Sequence, residues 1–232
     1  MKKAVRFLPL LILIAALVCV FVFGWYKYLS FDALKTYRQT LLMWTQMYYL
    51  WVVLGFIAIY IIAVALSVPG AVFLTLLGGF LFGYFAGTIY VVIAATIGAS
   101  LIFLAVKTSL GELLAKKASG WIERLEEGFQ KNAFNYLLVL RLIPIFPFWV
   151  INIVAGLLNV RFRTFLLATF FGIIPGSFVY VSVGNGLSAA FASNIQPNLG
   201  IIFKPEILLP LIALAILSIV PIAYKKIKAK RN

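Results

Sequence analysis

The sequence predicts an all-α polytopic membrane protein, an inverted repeat with two facing re-entrant helical hairpins and about four full transmembrane spans. The 232-residue chain is 64% hydrophobic and only 11% charged, and its mean hydropathy is +1.10. Several apolar runs therefore exceed the roughly 18 residues that cross a bilayer. Proline and glycine interrupt these runs at a repeated spacing. Basic residues fall mainly on one of the two sides that such a fold creates.

Composition excludes several kinds of site. The net charge of +14 comes from basic residues that flank apolar runs, which favours anionic lipid headgroups over nucleic acid as the partner. The chain has no histidine and a single cysteine, Cys19, which excludes an intrachain disulfide, a histidine base and a Cys/His zinc site. We expect no metal, no cofactor and no enzymatic activity, and the oligomeric state stays open.

The N-terminal part, residues 1–45, is predicted to be a membrane anchor followed by an interfacial segment. The apolar run from Phe7 to Gly24 is not followed by a small-residue cleavage site, so we expect an uncleaved first span instead of a signal peptide. Residues 25–45 mix tyrosine and tryptophan with charged side chains, a composition typical of the headgroup level.

Residues 46–187 are predicted to form the core, and residues 188–232 a loop, a last span at 207–224 and a basic tail. No charge occurs between Met47 and Val106. Residues 107–133 are the most polar part, and their leucines and aromatics recur at helical spacing, which predicts an amphipathic surface segment. The remaining core elements are hairpin 46–83, span 86–106, hairpin 134–160 and span 164–183, the last interrupted at Pro175 and Gly176.

The central motif is RLIPIFPFWVINIVAG, residues 141–156. Pro144 and Pro147 break an apolar run that would otherwise read as a membrane helix. Irregular backbone survives at membrane depth only when it is buried in protein or lines a watery cavity, so a charged, proline-broken segment indicates a functional site. The alternative is a kinked spanning helix whose Arg141 reaches the membrane interface.

An internal repeat is indicated by a shift of 78 residues, which places Pro69 on Pro147, Gly78 on Gly156 and Gly98 on Gly176. Charge supports re-entrant hairpins. If both hairpins enter and leave on the same side, fifteen Lys and Arg residues face one side and four face the other. If both crossed, the division would be ten to nine, which carries no positive-inside signal. Both termini are thus predicted to be cytoplasmic, in a bacterial plasma membrane.

The site prediction follows from this arrangement. The second leg of each hairpin is predicted to begin at Pro69 or Pro147, where helix N-terminal N–H groups favour an anion such as phosphate. Arg141 adds a full charge, and Asn152 either hydrogen-bonds the ligand or caps the hairpin tip. No membrane carboxylate is available, so we expect Arg141 to contact backbone carbonyls, water or a bound anion. We also expect an apolar replacement to leave stability unchanged or higher and to abolish lipid transport. The candidate substrate-binding residues are Arg141, Asn152, Pro144, Pro147, Pro69 and Gly70, and the candidate packing residues are Gly78, Gly79, Gly156, Pro175 and Gly176.

At these motifs the chain resembles the DedA superfamily, specifically its SNARE-associated Golgi protein branch, also called the VTT domain. The resemblance covers roughly residues 50–187 and rests on PGAVFLTLLGGFLFG (69–83), the R-x-x-P-x-x-P-x4-N-x3-G pattern from Arg141 to Gly156, and GIIPGSFVYVSVGNGL (172–187). It implies two facing re-entrant hairpins and lipid translocation, which is phospholipid scrambling in eukaryotic relatives and recycling of polyprenyl-phosphate carrier lipid in some bacterial ones.

The chain departs from the bacterial DedA pattern in two ways. That pattern includes acidic residues in the first hairpin and a second arginine six positions after the first. Here the first hairpin has no acidic residue, and the sixth position after Arg141 is Pro147. Coupling to protons through a membrane carboxylate is therefore not expected.

Three functions remain open at this point. The first is a lipid scramblase or lipid-phosphate flippase, in which Arg141 attracts an anionic headgroup while the tails stay in hydrocarbon. The second is an ion or small-solute transporter, for which the few polar residues at membrane depth are a poor lining. The third is a membrane-organising protein without transport, in which Arg141 only fixes the hairpin.

Overall fold

The computed structural model describes residues 7–24, 30–68, 71–111 and 132–187, together with isolated residues between 203 and 216. Its described regular structure is helical, which confirms the predicted all-α class for this part of the chain. Of the amphipathic segment predicted at 107–133, the described part contains a short π-helical turn, Lys107–Gly111. Residues 112–131 of the segment lie outside the described residues. The α-helices are α1 Leu8–Val22, α2 Phe31–Met47, α3 Tyr49–Ala65, α4 Ala71–Val106, α5 Ala133–Leu142, α6 Phe148–Leu157 and α7 Phe162–Asn185.

Two of the described helices are long and apolar enough to cross a membrane, one in the segment Ala71–Ser109 and the other α7. A third span is possible if α2 and α3, whose axes bend by 119° at their junction, count together. Helix α1 is apolar but has 15 residues, fewer than the roughly 20 that a span needs. The predicted span at 207–224 lies largely outside the described residues, which therefore support two or three spans where the sequence predicts four.

Helix α2 begins at the predicted interfacial segment. The Ser30 side chain accepts a hydrogen bond from the Ala33 N–H at 3.3 Å, and Asp32 lies in the first turn. Both features favour a helix start, because they satisfy a free N–H and complement the positive end of the helix dipole. Tyr48, with φ −132° and ψ 43°, ends α2. The chain turns there into the apolar helix α3.

Two helices end in the same way, through a residue with positive φ that is not glycine. After α3, Ser67 has φ 55° and the Val68 N–H donates to the carbonyl five residues back at 2.9 Å. After α6, Asn159 has φ 51° and the Val160 N–H donates five residues back at 3.2 Å. These are Schellman-type ends, which satisfy carbonyls that would otherwise be left unpaired in hydrocarbon.

The helix breaks recur at the predicted 78-residue shift to within one residue. Helix α3 ends at Ala65 and α4 begins at Ala71, and residues 143–147 separate α5 from α6. A second break follows in each case, at Gly83 (φ 76°, ψ 176°) within α4 and at residues 158–161 between α6 and α7. Pro147 is the N-cap of α6, one position before the first helical position predicted for it.

Helix α7 corrects one prediction. The prediction that this span is interrupted at Pro175 and Gly176 is wrong, because the helix runs from Phe162 to Asn185 with Pro175 inside it. Proline is tolerated in membrane helices where neighbouring groups or local adjustments satisfy the freed carbonyl.

The chain divides into two compact units. The Tyr60 unit contains Leu11–Ile102 and Gly176–Gly200, and the Arg141 unit contains Met1–Leu10, Phe103–Pro175 and Ile201–Asn232. In the Tyr60 unit, fully buried Leu76 and Leu187 form a core cluster, and buried Tyr60 shares a 2.9 Å hydrogen bond with Thr75. In the Arg141 unit, the rings of Phe103 and Phe165 stack with centroids 4.2 Å apart.

Three predicted packing glycines lie at close approaches inside these units. A Cβ at Gly79 would collide with the backbone carbonyl of Val181, in the Tyr60 unit. A Cβ at Gly78 would lie 2.9 Å from a methyl of Val91 in the same unit. A Cβ at Gly156 would lie 2.9 Å from a backbone carbonyl of α4, in the Arg141 unit. Approaches this close leave no room for a side chain at these glycines, as is common where membrane helices pack closely.

Candidate functional site

Arg141 lies in the last turn of α5 and connects three helices of the Arg141 unit. Its Nη2 donates to Oδ1 of Asn152 on α6 at 2.6 Å and to Oγ1 of Thr169 on α7 at 3.0 Å. Its Nη1 donates to the Phe148 carbonyl at 3.4 Å, a long and weak bond. The sequence predicts backbone carbonyls, water or a bound anion as partners; one carbonyl is contacted, but the two short bonds go to buried side chains.

Helix periodicity explains why these groups meet. Phe148 and Asn152 are four residues apart on α6, and Phe165, Thr169 and Gly172 follow at steps of four and three on α7. Residues at these steps share one face of a helix. A Cβ at Gly172 would lie 2.6 Å from Cβ of Arg141. Only glycine there allows the arginine stem to pass against α7.

Two aromatic rings border the guanidinium. Its Cζ lies 4.3 Å from the ring centroid of Phe148 and 5.6 Å from that of Phe165. Both distances are within the range of cation–π attraction, which strengthens when the cation is removed from water. Phe165 is itself fixed by its stack on Phe103. The rings exclude water on two sides and hold the charge in position.

The cluster is left with unused hydrogen-bond donors. Nε of Arg141 and Nδ2 of Asn152 are both buried, and neither has a partner in the described part of the chain. Asn152 and Thr169 are fully buried, and every hydrogen-bond acceptor that Arg141 uses is neutral. Of the six acidic residues, only Asp32 is among the described residues, on α2 in the Tyr60 unit. Unpaired buried donors beside an uncompensated cation call for an acceptor with negative charge.

A second cation of this unit, Lys107, hydrogen-bonds backbone carbonyls and so has a structural role. Nζ of Lys107 donates to the carbonyl of Val160 at 2.6 Å and to that of Asn159 at 3.4 Å, and lies 5.7 Å from the Phe103 ring centroid. Those carbonyls follow the end of α6, where a positive charge complements the helix dipole. Lys107 therefore secures the connection between α6 and α7.

The predicted site residues are only partly brought together. Arg141 and Asn152 are in direct contact, while Pro144 and Pro147 lie in the break between α5 and α6. The predicted contributions of Pro69 and Gly70 lie outside the described residues.

Sequence reasoning missed Thr169, Phe148 and Gly172. Thr169 offered a signal, because it is a lone polar residue in the apolar run LLATFFG. Gly172 belongs to the motif GIIPG, but its contact with Arg141 depends on the crossing of α5 and α7. No cluster of three or more potential metal ligands occurs among the residues that the structure describes.

Comparison with known proteins places these residues in a family. The model of the VTT domain matches residues 68–186, just over half of the chain, and this stretch contains Arg141, Asn152 and Thr169. The chain belongs to the VTT-domain family. This is the DedA/SNARE-associated Golgi protein family that the motifs predict.

Relatives extend the similarity beyond the VTT domain. The chain is 30% identical to "Transmembrane protein 41B" of Gallus gallus over 86% of its own length and 73% of that protein. The identity to the Homo sapiens protein of the same name is 30%, over 86% of this chain and 68% of the relative. The identity to "Transmembrane protein 41 homolog" of Dictyostelium discoideum is 35%, over 86% of this chain and 59% of the relative. No solved structure matches significantly. Together with the apolar helices, this similarity identifies an integral membrane protein.

Proposed function

We propose that this VTT-domain protein moves membrane lipids between leaflets, as a phospholipid scramblase or lipid-phosphate flippase, with Arg141 receiving the anionic headgroup. The observation that carries the proposal is the Arg141–Asn152 pair, in which a part-buried cation bonds only neutral acceptors and two buried donors, Nε of Arg141 and Nδ2 of Asn152, have no partner among the described residues. A phosphate oxygen supplies both the negative charge and the acceptor lone pairs that this pair lacks.

The alternative of a selective ion or solute pathway is less well supported. A pore needs several polar groups along its route. The polar side chains of the Arg141 cluster are three, Arg141, Asn152 and Thr169, and phenylalanine rings border them. A lipid requires polar contacts only for its headgroup, because its tails remain in hydrocarbon.

A structural role is the second candidate, and one observation favours it. The hydrogen bonds of Arg141 tie α5 to α6 and α7, as a pin between helices would. A pin, however, gains nothing from an uncompensated charge, since buried polar groups can often be replaced by apolar ones without loss of stability. Stability and transport measured together separate the two roles.

The test compares Arg141→Met, Arg141→Lys and wild type in liposomes that contain fluorescent lipids with phosphate headgroups. Arg141→Met should transport no faster than empty liposomes. Because Asn152 and Thr169 would each lose a donor, the variant should also lose about 1–3 kcal/mol of stability while remaining folded. Arg141→Lys should retain part of the activity, because it keeps the charge but not the bidentate geometry.

Arg163→Met is the matched control, since it removes an exposed arginine just outside the cluster and should leave transport intact. Normal transport by folded Arg141→Met would disprove the headgroup role. Equal losses of stability and transport in Arg141→Met and Arg141→Lys would indicate a pin.

The proposal includes re-entrant topology with cytoplasmic termini, which rests on the charge distribution. In a Cys19→Ser background, single cysteines at Ser119 and Lys228 should be shielded from an external impermeant thiol reagent, and one at Asn194 should be labelled. Labelling at Ser119 but not at Asn194 would rule out this topology.

A further inference from the structure

The bend between α2 and α3 creates an apolar groove in the Tyr60 unit, against α4. Its volume is about 540 Å³, and Trp44, Trp51 and Leu77 are among its lining residues. Ligand sites commonly have volumes of roughly 300–1,000 Å³. Gly55 also lines the groove, and a Cβ at this position would meet nothing within 4 Å. The groove is thus open space that a larger residue could fill.

A second cavity of about 220 Å³ adjoins the groove along α2. Leu41, Leu74 and Leu77 line both cavities, and Ser30 and Tyr37 line the far end of the smaller one. An apolar floor therefore continues from the inside of the bend toward the start of α2. A continuous apolar track of this kind suits a flexible hydrocarbon chain.

A cation borders the lining face of α2, although Arg38 itself lines neither cavity. Arg38 follows the lining residue Leu34 by four positions and precedes Leu41 by three, and such residues are neighbours on a helix surface. Nε of Arg38 is buried without a hydrogen-bond partner in the described part of the chain. With Lys35 and a single carboxylate, Asp32, α2 carries net positive charge beside the track.

The surroundings indicate the depth of the groove in the membrane. Trp44, Tyr48, Tyr49 and Trp51 are all about half exposed or more. Tryptophan and tyrosine concentrate at the headgroup boundary, where helices with mixed polar and apolar faces also lie. In an integral membrane protein the molecules that meet this surface are lipids.

We propose that the groove binds one anionic glycerophospholipid, with an acyl chain along Leu41, Leu74 and Leu77 and the phosphate beside Arg38. The guanidinium supplies directional donors for phosphate oxygens. The net positive charge of α2 favours an anionic headgroup over a zwitterionic one. This site is distinct from the Arg141 cluster and does not depend on the transport proposed there.

The test uses the native tryptophans as reporters. Trp25, Trp121 and Trp149 are replaced by phenylalanine in the full chain, which leaves Trp44 and Trp51 in the groove. The protein is reconstituted with increasing fractions of phosphatidylglycerol or phosphatidylcholine carrying brominated acyl chains, which quench nearby tryptophan. Half-maximal quenching should require an about fivefold lower fraction of the anionic lipid, the preference expected from one nearby cation.

Two pairs of variants sharpen the test. Gly55→Leu should fill the groove and abolish the preference, whereas Ala58→Leu, at an exposed position of the same helix outside the groove, should preserve it. Arg38→Gln should remove most of the preference, and Lys35→Gln less of it. Melting temperatures show whether each variant is folded. If Gly55→Leu does not fold, Gly55→Ala takes its place, with Ala58→Gly as its control.

Several results would overturn the proposal. Equal quenching by the two lipids in the parent protein would mean bulk contact only. Equal behaviour of folded Gly55→Leu and Ala58→Leu would place the bound lipid elsewhere. Loss of quenching on dimer formation, detected by cross-linking, would identify a second copy as the occupant. Arg141→Met should leave the preference unchanged, so failure of this proposal is distinguishable from failure of the transport proposal.

Discussion

Two stretches related by the predicted 78-residue shift have helix breaks at corresponding places but differ in their buried polar groups. The 78-residue shift pairs Arg141, Asn152 and Thr169 with Ala63, Leu74 and Val91. In the Tyr60 unit these counterparts are apolar and 8%, 3% and 0% exposed. The polar pair of the Tyr60 unit is likewise missing from the other stretch. Tyr60 and Thr75 hydrogen-bond each other, and the shift pairs them with the apolar residues Leu138 and Ile153.

The difference separates packing from function. The Tyr60–Thr75 bond is neutral and closed, so it adds specificity to a core without leaving a charge exposed to hydrocarbon. The Arg141 cluster contains a full charge and two donors without partners in the described part of the chain, which packing alone does not require. The same succession of helices and breaks can therefore be built without the arginine, and we infer that the arginine serves a ligand.

The largest effect should come from introducing the cation into the other half. Ala63→Arg places a guanidinium at a buried position of an apolar helix, and the residues paired with Asn152 and Thr169, Leu74 and Val91, offer no side-chain acceptor. An uncompensated buried charge costs about 3–5 kcal/mol, so the melting temperature and the yield of inserted protein should both fall sharply. Ala63→Met, the control for size, should cost about 1–3 kcal/mol as overpacking does. Equal stability of the two variants would show that both halves tolerate a charge, which removes the distinction.

An intermediate effect should follow from Gly172→Ala. The shift pairs Gly172 with Ala94, where no arginine stem passes. At Gly172 the new methyl would lie 2.6 Å from Cβ of Arg141, so we expect about 1–3 kcal/mol of destabilisation from overpacking and slower lipid transport.

Gly186→Ala is the matched control for Gly172→Ala, because the nearest atom to its Cβ is 3.5 Å away. It should behave nearly as wild type. Unchanged transport and stability in Gly172→Ala would show that the position of the arginine stem is unimportant.

The smallest effect should come from Thr169→Val. Valine is the residue found at position 91, which the 78-residue shift pairs with Thr169. Loss of one hydrogen bond should cost about 1 kcal/mol, because the guanidinium keeps its bond to Asn152, and less if the charge bonds a lipid oxygen instead. Thr88→Val is the control, since its hydroxyl donates to the Tyr84 carbonyl of its own helix at 2.6 Å. A greater loss of transport in Thr88→Val than in Thr169→Val would contradict the assignment.

Much of the architecture could be predicted, because its signals are local. The breaks between α3 and α4 and between α5 and α6 and the kink at Gly83 follow from proline and glycine in apolar runs, and the family follows from the motif at 141–156. The continuity of α7 through Pro175 was not predictable from the residue alone. Proline in a membrane helix is tolerated or not according to its neighbours.

The partners of Arg141 could be predicted only in part, since they depend on helix crossings. Asn152 is close in sequence, whereas Thr169 is 28 residues away. The expectation that an apolar replacement leaves stability unchanged or higher depends on carbonyls, water or a bound anion as the partners of Arg141. With two buried side-chain oxygens bonded to the guanidinium, removing Arg141 alone leaves them unsatisfied, so its partners must be replaced with it.

The most direct measurement is therefore made on a triple variant that gives the Arg141 unit the apolar chemistry of its counterpart. Arg141→Met, Asn152→Leu and Thr169→Val together remove the charge and both acceptors. Melting temperature and liposome lipid transport are measured on the same preparations. We predict wild-type or higher stability, as replacement of buried polar clusters often gives, with transport no faster than empty liposomes. A stable triple variant that transports lipid at the wild-type rate would contradict the account.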